Sequence, residues 1–187
     1  KLFAALGSCR KKLPKLDGSD PAAGEIYDKL FDFFRSLDIR YFFYIGGNDS
    51  MDTVAKLSAY AANHDYEIRV MGVPKTIDND VMGTDHTPGF GSAAKYIAAS
   101  VEEIIRDCAV YTVKAVTIVE IMGRDAGWLA ASAALTRMTG AEPDLVYLPE
   151  RVFDYDSFFA DVSAALEKHP NVVIAVSEGI KLADGSY

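Results

Sequence analysis

The chain has 187 residues, and its 27 Asp and Glu against 19 Lys and Arg leave a net charge of −8. That balance argues against a nucleic-acid or membrane-surface role, because such partners demand concentrated Lys and Arg. Half of the residues are hydrophobic, enough to bury a substantial core in one large or two small domains.

Strands and helices alternate along the chain. After a surface stretch at residues 13–23, broken by Pro14, Gly18 and Pro21, apolar spacing predicts a helix over 22–37 and a strand over 40–45. A helix over 51–63, with Val54, Leu57 and Ala61 on one face, precedes a strand over 66–73. A helix over 90–107 leads to a strand over 115–121, and a helix over 125–139 leads to a short strand over 145–148. A helix over 156–168 and a strand over 172–176 follow. Alternation of this kind predicts an α/β fold, with parallel sheet between helical layers in an αβα arrangement. Phe42, Phe43 and Tyr44 read as buried strand, and Trp128, Leu129, Ala133 and Leu135 as helix core.

The chemistry gathers in the loops that follow the apolar runs, at the carboxyl ends of strands, where parallel sheets bind ligands. Residues 74–80, Pro-Lys-Thr-Ile-Asp-Asn-Asp, put a cation, a hydroxyl and two carboxylates at one strand end. Phosphoryl transfer needs cationic charge on the migrating group, a metal on hard oxygen ligands and an acceptor oriented by a carboxylate. Lys75, Asp80 and Asp78 can supply all three. A polar turn is the plainer reading of the same residues. Gly46 and Gly47 open a second loop, where backbone can approach an anion and Ser50 can cap the helix that follows. Met122, Gly123 and Arg124 form a third, in which Arg124 can make a two-pronged contact to phosphate. Ser177, Glu178 and Gly179 form a fourth, suited to holding a sugar hydroxyl.

These motifs, in this order and spacing, resemble the phosphofructokinase family and, more narrowly, its diphosphate-dependent branch. The resemblance runs from Leu6 to Gly179 and is carried by Gly7-Ser8-Cys9-Arg10, residues 46–50, residues 74–80, Thr87-Pro88-Gly89-Phe90-Gly91, Met122-Gly123-Arg124 and Ser177-Glu178-Gly179. It implies two Rossmann-like lobes, both incomplete here: residues 1–90 as the diphosphate half and 91–187 as the fructose 6-phosphate half, with the active site between them. It also implies reversible transfer of phosphate to the sugar's 1-hydroxyl in glycolysis, with magnesium. Asp78 takes the hydroxyl proton, while Lys75 and Arg124 stabilise the phosphoryl group. Thr76, Ile77, Asp78, Met122, Gly123, Arg124 and Glu178 bind the sugar phosphate, and Arg10, Gly46, Gly47 and Lys75 bind diphosphate. Asp80 and Asn48 are the metal candidates.

Asp49 and Lys75 carry the choice of donor. ATP-using members resemble Gly-Gly-Asp-Gly-Ser in the second loop and Pro-Gly-Thr-Ile-Asp in the third, with glycine at both positions. An acid at 49 intrudes on a nucleotide's inner phosphate and repels it, whereas an ammonium at 75 suits a compact inorganic donor. Asp49 as a helix N-terminal acid and Lys75 as a solvated turn residue is the plainer account. An ATP-dependent enzyme and a non-catalytic regulatory subunit are the alternative functions. The chain departs from the family in having Asn48 where many members carry a metal-binding Asp, and Ala115, beside Lys114, where many carry an arginine reaching a neighbouring subunit. It also lacks the family's first glycine-rich loop and its downstream contacts to the 6-phosphate, so it reads as a fragment of a longer homo-oligomeric protein, dimer or tetramer. Cys9 and Cys108, with no ligand spacing, imply a reducing compartment. With no apolar run near the roughly 18 residues of a membrane span and no signal-peptide pattern at the start, a cytoplasmic location is expected.

Overall fold

The computed structural model describes residues 12–17 and 21–187. The chain divides into two compact units between Pro74 and Lys75. The first contains α1 (Ala23–Ser36), β1 (Tyr41–Gly46), α2 (Asn48–Asn63) and β2 (Arg69–Pro74). Tyr27, Phe31 and Phe34 recur at spacings of four and three on α1, which places them on one helical face, and all are buried. They pack with Leu57, Tyr60 and Ala61 of α2, and Phe42 and Val70 of the two strands close the cluster. The Phe31 ring is fully buried, with centroids 4.8 Å from Tyr60 and 5.5 Å from Phe34.

β1 and β2 pair in parallel, Tyr41 opposite Arg69 and Ile45 opposite Val73. Phe42 and Tyr44 are half-buried, but Phe43 is 63% exposed, against the buried reading of all three. The reason is the pleat, which sends consecutive side chains to opposite faces. β2 starts at Arg69, three residues later than periodicity suggests. The Tyr66 hydroxyl is used elsewhere, donating to the carbonyl of Ile39 at 2.6 Å and to that of Phe34 at 3.1 Å.

The second unit contains α3 (Phe90–Cys108), β3 (Ala115–Ile121), α4 (Trp128–Ser132), β4 (Leu145–Tyr147), α5 (Tyr155–Leu166) and β5 (Asn171–Ser177). Its strands run parallel in the order β3-β5-β4. β5 is central, and Val172, Val173, Ile174 and Ala175 are all buried, a continuous apolar run suited to a strand covered on both faces. Val172 and Ile174 pack with Phe158, Val162 and Ala165 of α5, whereas Ala175 joins Val101 of α3 and Leu129 and Ala130 of α4. An αβα layering results in this unit.

The helix predicted over 125–139 is a short α-helix continued by a 3₁₀ segment, Ala133–Thr139. Hydroxyls tighten it: Ser132 donates to the Leu129 carbonyl, Thr136 to that of Ala133 and Thr139 to that of Thr136. Leu129 and Ala133, four residues apart, are buried as expected, but Trp128 is 57% exposed and Leu135 50%. Those two lie seven apart and share the opposite side of the segment.

Phe31→Ala removes the ring around which the α1 and α2 aromatics are arranged and should cost about 3–5 kcal/mol. Urea unfolding followed by tyrosine fluorescence is the measurement, and a midpoint unchanged from the parent chain would contradict this packing.

Candidate functional site

Five of the predicted site residues stand in the segment after β2: Lys75, Thr76, Ile77, Asp78 and the half-buried Asp80. Lys75 and Ile77 are exposed, Thr76 is half-buried and Asp78 is buried. The Asp78 amide donates to the Thr76 hydroxyl at 3.2 Å, which closes a local turn. Asn79 follows at φ 59°, in the left-handed region that Asn tolerates better than most residues. Its side chain is buried and makes three hydrogen bonds, one of them accepted from the Thr87 hydroxyl at 3.1 Å. The amide nitrogen donates to the Asp85 carbonyl at 3.1 Å, and the amide oxygen accepts from the Thr87 backbone at 2.8 Å. The Thr87 hydroxyl donates to the Thr76 carbonyl at 2.6 Å, and Thr76 and Gly89 form a parallel bridge. Residues 76–89 thus form a stapled loop, and it fixes the two carboxylates that flank Asn79.

Both carboxylates meet Arg124. Its Nε donates to Asp78 Oδ2 at 3.2 Å and its Nη2 to Asp80 Oδ2 at 3.1 Å. The acid side chains are 11% and 18% exposed and the arginine side chain 54%, so the pairing sits at the edge of solvent with the arginine accessible to a ligand. Arg124 belongs to the turn after β3, where Gly123 has φ 145° and Arg124 itself φ 51°. A non-glycine residue at such φ costs on the order of 1–3 kcal/mol and persists only where its surroundings impose it.

The surroundings here are specific. Glu178 follows β5 and its Oε1 accepts from the Gly123 amide at 3.1 Å and the Arg124 amide at 3.0 Å. Gly179 lies so close that a Cβ on it would sit 1.6 Å from the Arg124 carbonyl oxygen. Glu150, beyond β4, accepts from the Gly127 amide through Oε1 at 2.7 Å. Asp125 accepts from Lys181 Nζ at 2.5 Å, a contact that holds its carboxyl below the usual carboxylate range and raises the lysine. Met122 is 59% exposed. Asn79 and Thr87 belong to motifs of the sequence but are given no role there, and Glu150 is not singled out at all. For Asn79 a signal existed, since an Asn between two acids in a turn is a natural left-handed residue. Glu150 has none, because its partner lies 23 residues away.

In the first unit α2 begins at Asn48, three residues ahead of its predicted start, with Gly47 as an extended N-cap at φ −85° and ψ −158°. Ser50 therefore lies inside the helix and does not cap it; its amide donates to the Gly47 carbonyl. The space that a Cβ on Gly46 would take is filled by the Ser50 side chain, 1.9 Å from Oγ. Asp49 stands in the first helical turn and pairs with Lys12 at 3.3 Å, both side chains well exposed. Arg10 and Cys9 lie outside the described residues. The described residues hold no group of three or more His, Cys, Asp or Glu arranged for a metal. Asp78 and Asp80 still suit magnesium, which is commonly held by one or two carboxylates and the substrate's own phosphates. No helix among the described residues is long and apolar enough to cross a membrane.

Comparison with known proteins finds the family Phosphofructokinase over residues 4–186. A pyrophosphate–fructose 6-phosphate 1-phosphotransferase of Xanthomonas campestris is 47% identical over 98% of this chain and 44% of its own length. A sulfofructose kinase of Alkalicoccus urumqiensis is 39% identical over 74% of this chain and 37% of its own length. Among solved structures, a pyrophosphate-dependent phosphofructokinase of Nitrosospira multiformis superposes with TM-score 0.83 at 42% identity, covering 97% of this chain and 44% of its own. The chain thus spans less than half the length of these relatives.

Gly179→Ala should break the turn, because the new methyl group has no room beside the Arg124 carbonyl. Overpacking of this kind costs about 1–3 kcal/mol. A crystal structure of the variant should show the Arg124 backbone displaced from Glu178; unchanged amide contacts would refute the steric argument.

Proposed function

The chain belongs to the phosphofructokinase family, and from that premise we propose that the protein containing it transfers phosphate from diphosphate to the 1-hydroxyl of fructose 6-phosphate. The observation that carries the reading is the convergence of Asp78 and Asp80 on the Arg124 guanidinium. Two carboxylates and a guanidinium in one cluster support a reading in which they act as base, metal-ligating acid and phosphate-binding cation, the parts that phosphoryl transfer requires. The names of the relatives support diphosphate as donor.

In this reading the Asp78 carboxylate takes the proton from the sugar's 1-hydroxyl as that oxygen forms its bond to phosphorus. The bridging bond of diphosphate breaks and inorganic phosphate leaves with the negative charge, giving fructose 1,6-bisphosphate. Arg124 turns one of its donors from carboxylate to phosphoryl oxygen, and Lys75 adds an ammonium to the same charge. Thr76 and Ile77 line the acceptor, Met122, Gly123 and Glu178 hold the sugar phosphate, and Arg10, Gly46 and Gly47 hold diphosphate. Residues 1–90 serve the donor and 91–187 the sugar phosphate. Magnesium on Asp80, with Asn48 as a further oxygen ligand, would supply neutralising charge to the donor. The reaction is reversible, belongs to glycolysis in the cytoplasm, and is carried out by a homo-oligomer. The sulfofructose kinase relative supports a second acceptor, a sulfofructose.

Donor choice is tested with the intact protein, both donors and both acceptors. Diphosphate should exceed ATP in kcat/KM by at least about tenfold, the factor that each 1.4 kcal/mol of discrimination supplies. Equal or better use of ATP would remove Asp49 and Lys75 as donor determinants, and a preference for the sulfonated sugar would move the acceptor.

Asp78→Ala should lower kcat by about 10²- to 10⁴-fold, with the KM for fructose 6-phosphate changing far less. Steady-state kinetics are sufficient. A loss under about tenfold would assign the proton to another group.

A further inference from the structure

Arg124 has a third acid beside it in sequence. Asp125 follows it in the same exposed turn, yet the Asp125 carboxylate is turned to Lys181, Oδ1 to Nζ at 2.5 Å. The Tyr187 hydroxyl donates to the same oxygen at 3.3 Å, and the Lys181 ammonium lies 4.9 Å from the centre of the Tyr187 ring. Lys181 is itself anchored through its backbone. Its carbonyl accepts from the Phe153 amide at 2.7 Å, and it bridges in parallel to Val152. Exposed ion pairs of this kind contribute little to folding stability. The consequence of this one is electrostatic and local.

We propose that Lys181 is a positioning residue, which occupies the Asp125 carboxylate and so keeps it from competing with Asp78 and Asp80 for the Arg124 guanidinium. The proposal rests on the reading of Arg124 as the cation that meets the transferred phosphoryl group. Two donors of Arg124 are aimed at specific oxygens, Nε at Asp78 and Nη2 at Asp80. Its backbone is fixed by Glu178 and by the Gly179 contact, so the side chain's direction depends on which carboxylates pull on it. A carboxylate one residue away, more than half exposed and released from its lysine, is the nearest rival in sequence. The Arg124 charge already contributes to the lowering at Asp125, after the larger effect of Lys181. A simple tie between the turn and residue 181 makes a different demand: both partners would be required, and removing Asp125 would be as harmful as removing Lys181.

The test compares Lys181→Met, Lys181→Arg and the double variant Lys181→Met with Asp125→Asn in the intact protein. Lys181→Met should lower diphosphate-dependent kcat by about ten- to a hundredfold, the scale of a misplaced catalytic group, with the melting temperature within about 2 °C of the parent. Lys181→Arg should retain activity, and the double variant should recover most of what the single one lost. A double variant no better than Lys181→Met, or full kcat in Lys181→Met, overturns the proposal. A crystal structure of Lys181→Met gives a second readout that needs no activity. Asp125 should have turned to Arg124 with the Asp78 contact lengthened, and unchanged pairing of Arg124 with Asp78 and Asp80 overturns the proposal. A parent protein inactive with diphosphate and either sugar sinks the functional reading instead, and the crystal structure then decides the competition between carboxylates.

Discussion

A guanidinium held at positive φ between two carboxylates organises the second unit's site. Arg124 reaches Asp78 and Asp80 together from a backbone in a region that L-residues avoid. That conformation is held from the end of the paired strand β5, through the two amide contacts to Glu178 and the missing side chain of Gly179. Strain at this position is matched by an unusual number of fixed partners, the pattern expected where backbone geometry serves a site.

The carboxylates are prepared separately. Asn79, itself at positive φ, staples its loop through Asp85 and Thr87, and the reversal leaves Asp78 on one side of it and Asp80 on the other. Two rigid turns, each built without the other's help, therefore meet through a single charged side chain. In the proposed reaction, an anion arriving at this cluster meets a cation already held in place by its acids, so less reorganisation is needed when charge moves.

The proposed donor side follows a different physical logic. Asp49 lies in the first turn of α2, where the helix dipole favours an acid, and its partner Lys12 is as exposed as it is. Such a pair is weak and easily opened. The helix-terminal account of Asp49 and its proposed effect on nucleotide phosphates are compatible, because a helix N-terminus favours an acid at this position and a carboxylate repels a phosphate.

Much of the fold was legible in the order of residues. Strand and helix periodicities are local, so the succession of elements, the parallel pairing it implies and the loops at the strand ends could be read directly, as could the family. Side-chain environments were less accessible. Phe43 and Trp128 are apolar yet exposed, because which face of a strand or helix is covered depends on elements distant in sequence. The same limit applies at the site: Lys75, Asp78, Asp80, Arg124 and Glu178 could be nominated by type and position. That Arg124 pairs with acids 46 and 44 residues earlier, that Glu178 grips the turn from 54 residues later, and that Lys181 draws Asp125 aside from 56 residues later was decided by the tertiary structure alone. Sequence determines what each residue can offer and the repeat on which it lies, whereas partners separated by dozens of residues are chosen only when packed strands bring their carboxyl ends together.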